Sequence, residues 1–530
     1  MHLHAGLRVA LLGATLLAQS GWAAEPPKPD AAKDADAAAA YVAPKDAVTE
    51  GTWTDKSGPA LAYQAVAGTL LVEEKDKDQL PPGTNPKDAP RATMFYVAYF
   101  KHGADAAKRP LMFLYNGGPG SASLWLHMGA FGPVRVNTAE DTHTAPAPYR
   151  LSPNEASLLD VADLVFIDAP GTGFGRLLGK DKEKAFFGVD ADARAFGRFV
   201  DQFLTQYGRW NSPKYLLGES YGTMRSAALA RVLIEQHSID LNGVILLSQV
   251  LNLAHLVDAP QLAPDDTMAY VLALPSYAAV AWYHKALPQQ PAALEPWLDG
   301  VIRFAEGEYA HALAAGNALG DAELHAVAAR MHELTGLPVA YLERARLRVS
   351  GPEFSQALAL ERGETVGRLD ARFHGPVIDP LDRDAAYDPL DSGIGAAYVA
   401  VFNQYVRGTL KFGEDQPFRP GIDAWPLWDF RHQAPGVPIA LQPDVIPDLA
   451  LAMKLNPQLH VLNLGGYFDL ATPFYSARYE LRQLPIPASL RGNIEVIDYP
   501  SGHMIYAHRP SALKLHDDIG EFVRRTQGGN

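Results

Sequence analysis

The sequence predicts an α/β fold in which helices flank a mostly parallel central sheet and a mainly helical insertion interrupts it. Short apolar runs alternate with helical stretches such as 189–207, a pattern typical of parallel strands that are buried on both faces. The runs occupy positions 111–115, 164–167, 215–217 and 244–247. Beyond Leu253 the best-defined segments are helical, and strand patterns return only at 460–464 and 494–497.

The remaining elements have ordinary local patterns. An apolar-rich run at 61–72 predicts a strand or hairpin, and positions 93–100 alternate like a strand. Between them, the segment 75–90 is rich in Pro, Asp and Lys and predicts a loop. Helices are predicted over 295–315, 321–334 and 510–524.

A chain of 530 residues is too long for one small compact domain. Its composition divides it into a signal peptide at 1–23, a flexible linker at 24–50, the first part of the core at 51–251, a helical cap insertion at 252–435 and the second part of the core at 436–530. The linker is assigned because it is rich in Ala, Asp, Lys and Pro and has no apolar period.

The first residues are typical of an export signal. Arg8 precedes the apolar stretch 9–18, and cleavage after Ala23 places the small Gly21 at the minus-three position. The pattern predicts a secreted or periplasmic protein, with a disordered tail on an intracellular protein as the alternative. No later stretch reaches the 18 or so apolar residues of a transmembrane helix, so no integral membrane anchor is expected.

Composition and missing motifs exclude several functions. The net charge of −14 argues against nucleic acid as a partner, because phosphates would be repelled. The absence of cysteine excludes disulfides and thiolate nucleophiles. His332-Glu333 lacks a second histidine at the metalloprotease spacing, and no phosphate-binding Gly-Lys-Ser/Thr loop occurs, so no metal or cofactor is expected. The sequence does not indicate an oligomeric state.

The segment Gly218-Glu219-Ser220-Tyr221-Gly222 lies between an apolar run and a helical stretch. A serine on such a strand-to-helix turn is the nucleophile elbow of an α/β-hydrolase, with glycines that let the backbone turn sharply. The pattern alone is weak, and an ordinary glycine-bounded turn is its alternative.

A nucleophilic serine needs a histidine base and a carboxylate that orients it, in the chain order Ser, acid, His in this fold. His503 follows the last predicted strand and is the favoured base, with His508 as its competitor. Asp469 follows the strand at 460–464 and is the favoured acid, with Asp498 as its rival.

An oxyanion hole needs a second loop. Asn116-Gly117-Gly118-Pro119-Gly120 directly follows the strand at 111–115, where such a loop belongs. We expect the N–H groups of Gly118 and Tyr221 to bind the oxyanion; a glycine-rich turn without a ligand is the alternative.

Together these segments resemble the serine carboxypeptidase family. The resemblance lies in 116–123, in the elbow followed by Asp469 and His503, and in the intervening segments 154–159 and 167–174. It covers roughly 110–250 and 455–510, and the absence of the family's usual disulfides suggests a bacterial-type exported member.

This resemblance implies an α/β-hydrolase that removes the C-terminal residue of peptides, prefers mildly acidic conditions and needs no metal. The family binds the substrate's terminal carboxylate with groups that correspond to Asn116 and Glu219, and we expect Gly117 to contact the substrate as well. Two carboxyls that meet without a cation share a proton, which explains an acidic preference.

One position departs from the family pattern. A second glutamate normally stands before the Gly-Pro that follows the first motif, and Ala130 occupies that place before Gly132-Pro133. This departure bears on exopeptidase specificity and on the pH optimum.

The sequence therefore predicts an exported serine hydrolase with Ser220, His503 and Asp469 as its catalytic residues and a peptide with a free C-terminus as its substrate. The alternatives are an esterase or acyltransferase that uses the same triad, or a non-catalytic binding protein on the same scaffold.

Overall fold

A ten-stranded sheet forms the centre of the computed structural model, which describes residues 43–528 except 55–57, 59, 76–84 and 86–87. The predicted signal peptide, most of the predicted linker and most of the loop at 75–90 lie outside the described residues. The strands are β1 Ala47–Trp53, β2 Leu61–Glu73, β3 Arg91–Lys101, β4 Leu111–Tyr115, β5 Val134–Val136, β6 Leu151–Pro153, β7 Asp163–Ile167, β8 Arg176–Leu178, β9 Lys214–Glu219, β10 Gly243–Leu247, β11 Glu364–Val366, β12 His374–Pro376, β13 His460–Gly466 and β14 Ile494–Tyr499.

The strand order is β1-β2-β3-β7-β4-β9-β10-β13-β14, with β8 paired to β3. From β7 to β14 every neighbouring pair is parallel, whereas β1, β2 and β3 are joined by antiparallel pairing and β3 is antiparallel to β7. The predicted mostly parallel sheet is therefore confirmed, and strand β9, which leads to the elbow, lies between β4 and β10.

The apolar runs are continuous because both faces of the sheet are buried. In β4, Met112 and Leu114 pack into one core cluster while Leu111 and Phe113 pack into another on the opposite face. This alternation follows the two-residue period of a strand, and it leaves no solvent-facing position for a polar side chain.

Helices cover both faces of the sheet and make up most of the insertion. They are α1 Lys182–Phe186, α2 Val189–Gln206, α3 Tyr221–His237, α4 Met268–Tyr283, α5 Leu294–Phe304, α6 Ala310–Ala315, α7 Asp321–Thr335, α8 Val339–Arg344, α9 Gly351–Ala359, α10 Pro389–Gly408, α11 Ile446–Leu455, α12 Phe474–Arg482 and α13 Arg509–Thr526. The predicted helix at 295–315 is observed as α5 and α6, joined by a π-helical turn at Ala305–Tyr309.

The chain between β10 and β13 contains α4 to α11, and its two short strands β11 and β12 pair only with each other among the described residues. A third apolar cluster, separate from the two on the sheet, is built largely from these helices. The predicted cap boundaries at 252 and 435 stay predictions.

The predicted linker at 24–50 is wrong at its end, because strand β1 begins at Ala47. Residues 47–53 pair antiparallel with 61–67 at the edge of the sheet. An edge strand is held by backbone hydrogen bonds and presents one face to solvent, so its sequence needs few apolar residues. Among the described residues, no helix combines the length and apolar character needed to cross a membrane.

Glu480 of α12 is fully buried and holds the segment that follows β10. Its carboxylate accepts hydrogen bonds from four groups: Leu251 N–H (2.9 Å), Gln249 Nε2 (3.0 Å), Asn252 N–H (3.2 Å) and His255 Nδ1 (2.9 Å). Buried donors that lose their acceptor are costly, because water cannot replace it.

We predict that Glu480→Ala lowers the free energy of unfolding by about 3–5 kcal/mol, since several buried donors lose their charged partner. Denaturant unfolding followed by circular dichroism measures the change. Glu521→Ala, on an exposed position of α13, is the control and should change stability by less than about 0.5 kcal/mol. Equal effects of the two variants would contradict the role given to Glu480.

Candidate active site

Ser220 lies on a sharp turn between β9 and α3. Its backbone has φ of 61° and ψ of −131°, a combination that non-glycine residues rarely adopt and that is held here by the surrounding hydrogen bonds. The Ser220 N–H donates to Leu247 O at 3.0 Å, and its carbonyl accepts from the Thr223 N–H at 2.8 Å. A Cβ at Gly218 would overlap the Gly222 carbonyl, which explains the first glycine of the motif.

The loop after β4 lies directly against this turn. A Cβ at Gly117 would come within 2.5 Å of Tyr221 N and 2.8 Å of Glu219 O, so the two backbones approach each other closely. The Ser121 N–H closes the loop by donating to Gly117 O at 3.1 Å. The amides of Gly118 and Tyr221, predicted to bind the oxyanion, are thus on adjacent segments, and Tyr221 begins α3, where N–H groups lack helical partners.

His503 and Asp469 are in direct contact. His503 Nδ1 lies 2.7 Å from Asp469 Oδ2, and both side chains are buried. Asp469 Oδ1 accepts the N–H groups of Ala471 at 2.8 Å and Thr472 at 2.9 Å, and Thr472 Oγ1 lies 2.7 Å from Oδ2. An imidazole that donates from Nδ1 to a carboxylate keeps a lone pair on Nε2, as a general base requires.

Ser220 and His503 are hydrogen-bonded to two consecutive residues at the end of strand β10, Leu247 and Ser248. Ser220 N–H donates to Leu247 O, the last residue of β10, and Ser248 Oγ donates to the His503 carbonyl at 2.6 Å. Ser248 N–H also donates to Leu464 O of β13 at 2.8 Å. These bonds bring the segments that carry the predicted nucleophile, acid and base to one end of the sheet.

Burial and neighbouring carboxyl groups have opposing effects on the pKa of His503. Burial lowers the pKa of the imidazole, but the neighbouring Asp469 and Glu219 carboxyls outweigh it, and the pKa of His503 is raised above its ordinary value. The two carboxyls therefore favour the imidazolium that forms when the histidine accepts a proton.

The rival residues have other partners. Asp498 forms an ion pair with Arg478, whose Nε lies 2.7 Å from its Oδ2, and burial raises the pKa of Asp498 to about 6 although Arg478 lowers it. His508 Nδ1 lies 2.8 Å from Ser511 Oγ at the start of α13. The geometry therefore favours Asp469 and His503 over Asp498 and His508.

A buried polar cluster surrounds Glu219, the residue before the serine. Tyr506 Oη donates to Glu219 Oε2 at 2.8 Å, and the Asn116 side chain also hydrogen-bonds to Glu219. Asn116 is oriented by the Leu126 N–H, which donates to its Oδ1 at 3.2 Å. Asn116 and Glu219, predicted to bind a terminal carboxylate, are thus brought together.

The protonation of Glu219 follows from this environment. Burial raises the pKa of Glu219 to about 7, and Asp469 adds to the rise, while His503, Tyr506 and Asn116 lower it. The carboxyl is therefore protonated in mild acid, where it can donate a hydrogen bond.

Ala130 lies in a buried π-helical turn at Leu126–Phe131, and two tyrosines lie against the adjacent Gly129. A Cβ at the adjacent Gly129 would lie 2.8 Å from Tyr506 Cε2 and 2.9 Å from Tyr398 Cε1. Tyr398 also interacts electrostatically with Glu219. Neither tyrosine was predicted from the sequence. Tyr506 stands only three residues after His503, whereas Tyr398, on α10, has no local pattern.

A segment of the insertion, residues 368–372, holds both loops that carry the acid and the base. The Leu369 carbonyl accepts the His503 N–H at 2.6 Å. Three further bonds join this segment to the two loops: Leu470 N–H to Arg368 O (3.0 Å), Ala371 N–H to Phe468 O (3.0 Å) and Gly502 N–H to Asp370 Oδ2 (3.2 Å). No sequence pattern predicts that residues 368–372 belong to the site.

No cluster of three or more His, Cys, Asp or Glu side chains with the geometry to hold a metal ion occurs in the part of the chain that the structure describes.

The parallel sheet, the serine elbow after a central strand and the histidine–carboxylate pair after its last two strands define an α/β-hydrolase. Within that class, residues 84–272 match the family model of the serine carboxypeptidases, so the resemblance to that family is confirmed.

Curated relatives that are similar to part of the chain are also named carboxypeptidases. The pheromone-processing carboxypeptidase KEX1 of Ogataea parapolymorpha is 30% identical over 143 residues, which are 26% of this chain and 21% of the relative. KEX1 of Saccharomyces cerevisiae strain S288c is 29% identical over 171 residues, 31% of this chain and 21% of the relative. The chain thus spans about a fifth of the length of these relatives.

Two of the solved structures that resemble the chain have sequences about 15% identical to it. A proline iminopeptidase of Mycobacterium smegmatis has a TM-score of 0.34 and 14% identity, covering 90% of this chain and 99% of that one. MenH of S. aureus has a TM-score of 0.34 and 15% identity, covering 82% of this chain and 99% of that one.

We predict that Gly117→Ala slows labelling of the serine by an organophosphonate about a hundredfold or more, because the new methyl group would push the loop off the elbow backbone and displace the oxyanion donors. The labelling rate is measured by mass spectrometry on folded protein. Gly300→Ala in α5, where the nearest atom to the new Cβ is Arg303 Nη2 at 3.8 Å, is the control and should label like wild type. Unchanged labelling of Gly117→Ala would count against the proximity argument.

Proposed function

We propose that the chain is an exported serine hydrolase of the serine-carboxypeptidase type, which removes C-terminal residues from peptides through an acyl-enzyme on Ser220. The observation that carries the proposal is the 2.7 Å contact between His503 Nδ1 and Asp469 Oδ2 at the same end of the sheet as the Ser220 elbow. The matching family model over 84–272 supports the choice of reaction.

In this proposal, Ser220 Oγ attacks the carbonyl carbon of the last peptide bond while His503 Nε2 takes the hydroxyl proton. The oxyanion that forms is stabilised by the N–H groups of Gly118 and Tyr221. The imidazolium then protonates the leaving amine as the C–N bond breaks, and Asp469 stabilises the charged ring throughout. Water, deprotonated by His503, attacks the acyl-enzyme and releases the shortened peptide with regenerated Ser220.

Recognition of the free C-terminus is assigned to Asn116 and Glu219, with Gly117 next to them. A protonated Glu219 donates a hydrogen bond to the substrate carboxylate, whereas an ionised one repels it. Tyr506 and Tyr398 lie next to Gly129, beside the position where the second glutamate of the family would stand, and the Tyr506 hydroxyl donates a hydrogen bond to Glu219. Glu219 therefore meets a neutral hydroxyl group there rather than a second carboxyl with which to share a proton.

The departure at Ala130 supports a second candidate function. Without the second glutamate, the site has one carboxyl fewer to recognise a terminal carboxylate, and an esterase or acyltransferase would use the same nucleophile, base and acid. A non-catalytic binding protein is less well supported, because it gives no reason for the strained serine backbone or the oriented histidine.

Export is the part of the proposal that depends on residues 1–23, which lie outside the described residues. It is supported by the apolar stretch after Arg8 and the small residues before the proposed cleavage after Ala23.

The proposed triad predicts how labelling and kcat change when individual residues are replaced. Ser220→Ala should abolish organophosphonate labelling and peptide hydrolysis. Asp469→Asn should lower kcat by about 10⁴-fold, because the imidazole would lose its orienting partner and the correct tautomer. Asp498→Asn is the matched control and should retain activity within about threefold, since Asp498 is paired with Arg478. Loss of turnover in Asp498→Asn with near-normal Asp469→Asn would reverse the assignment.

The Glu219 carboxyl predicts how substrate preference depends on pH. Its pKa of about 7 means that it is protonated below about pH 7 and loses that proton above it. The ratio of kcat/KM for a blocked dipeptide with a free C-terminus to that for its C-terminal amide should therefore fall as pH rises from about 5 to about 8. The histidine affects both substrates alike, so the ratio isolates Glu219.

Glu219→Gln is the control variant, because a neutral amide keeps a donor at every pH and should flatten this dependence. A ratio near one at every pH in the wild-type protein would favour the esterase or acyltransferase alternative. A high ratio that does not change with pH would show that Glu219 does not control recognition.

A further inference from the structure

Arg225 is a buried cation beneath the elbow that the proposed reaction does not use. It lies on α3, and its side chain is fully buried, as is that of Asp192 on α2. The pair is bidentate: Arg225 Nε lies 2.6 Å from Asp192 Oδ2, and Nη2 lies 3.3 Å from Oδ1. Two charged groups without access to water persist only when their geometry satisfies each other.

The third arm of the guanidinium reaches the predicted oxyanion loop. Arg225 Nη1 donates to the Asn116 carbonyl at 2.8 Å. In a trans peptide unit the C=O and the following N–H point in opposite directions, so holding the Asn116 carbonyl also fixes the direction of the Gly117 amide. The loop that carries Gly118 begins from this peptide.

Aromatic rings restrict the guanidinium further. Its central carbon lies 4.3 Å from the centroid of Phe196 and 5.3 Å and 5.5 Å from those of Tyr115 and Tyr221. Tyr115 precedes the loop in β4, and Tyr221 carries the other predicted oxyanion N–H. Arg225 therefore contacts the chain on both sides of the predicted oxyanion site.

We propose that Arg225, held by Asp192, is a positioning residue that orients the Asn116–Gly118 backbone for oxyanion binding. The inference rests on the proposed function, because an oxyanion forms only if Ser220 attacks a carbonyl. A donor that is turned away from the oxyanion weakens binding of the transition state more than binding of the substrate. Loss of this orientation should therefore reduce kcat and leave KM nearly unchanged.

Arg225→Lys is the informative variant, because lysine keeps the charge but lacks the planar fork that holds a carboxylate and a carbonyl at the same time. We expect kcat for a blocked dipeptide to fall about tenfold to a hundredfold with KM within about threefold of wild type. The pH dependence of the free-acid to amide ratio should be unchanged, since Glu219 is not altered.

Arg209 provides a matched control at the other end of the sheet. It is also buried, pairs with Asp163 through Nη1 at 2.5 Å, and donates from Nη2 to the Arg109 carbonyl at 2.8 Å. Asp163 begins β7, so this pair lies far from the carboxyl ends of the strands. Arg209→Lys should lower the unfolding midpoint comparably but leave kcat of the folded protein unchanged.

The kinetics of these variants test the proposal. A loss of kcat in Arg225→Lys but not in Arg209→Lys supports the proposal, whereas equal effects on kcat, or a rise in KM alone, overturn it. If Arg225→Lys does not fold, Asp192→Glu, which keeps both charges but shifts the guanidinium, should show the same fall in kcat at constant KM; normal kcat in that variant also overturns it. A wild-type protein that no organophosphonate labels would instead reject the proposed function itself.

Discussion

The parallel register of five neighbouring strands, β4, β9, β10, β13 and β14, determines where every proposed reacting group lies. Tyr115 pairs with Gly218, Leu247 pairs with both Glu219 and Leu464, and Gly466 pairs with Tyr499. Because these pairs are the last or nearly the last residues of their strands, the five loops that follow begin at the same level. A slip of one residue in any strand would turn its side chains to the opposite face and shift its loop by about 3.3 Å, more than a hydrogen bond can tolerate.

The two buried carboxyls near His503, those of Asp469 and Glu219, differ in their surroundings and therefore in their proposed roles. Asp469 accepts hydrogen bonds from two backbone N–H groups as well as from His503, so its carboxylate is held in one orientation against the imidazole. Among the described residues, no backbone N–H group donates to the side chain of Glu219, which meets Tyr506 and Asn116, so burial dominates and raises the pKa of Glu219. The imidazole of His503 interacts with both, which couples the base of the proposed reaction to the group that would recognise the substrate's end.

Much of this arrangement could be predicted from the sequence, and the exceptions have two causes. The parallel strands were predictable because burial on both faces leaves continuous apolar runs, and the elbow was predictable because its glycines and serine are adjacent in the chain. Strand β1 was missed because an edge strand leaves little apolar signal. Tyr398, Arg225 and the 368–372 segment act through contacts with residues far away in the sequence, which leave no local pattern. His503 could be placed after the last strand, but its tie to Leu369 could not.

The contacts of residues 368–372 limit how the helical layer could be exchanged between hydrolases of this fold. The helical layer has its own apolar core, yet that core also contains Tyr467, Phe468 and Leu470 from the loop that carries Asp469. Exchanging this layer for that of another hydrolase would therefore remove packing and hydrogen bonds from the acid and base loops together. A folded chimera would therefore need residues 467–475 from the same parent as the transplanted helices. The two parent sequences are best joined within the strands of the sheet rather than at the ends of the insertion.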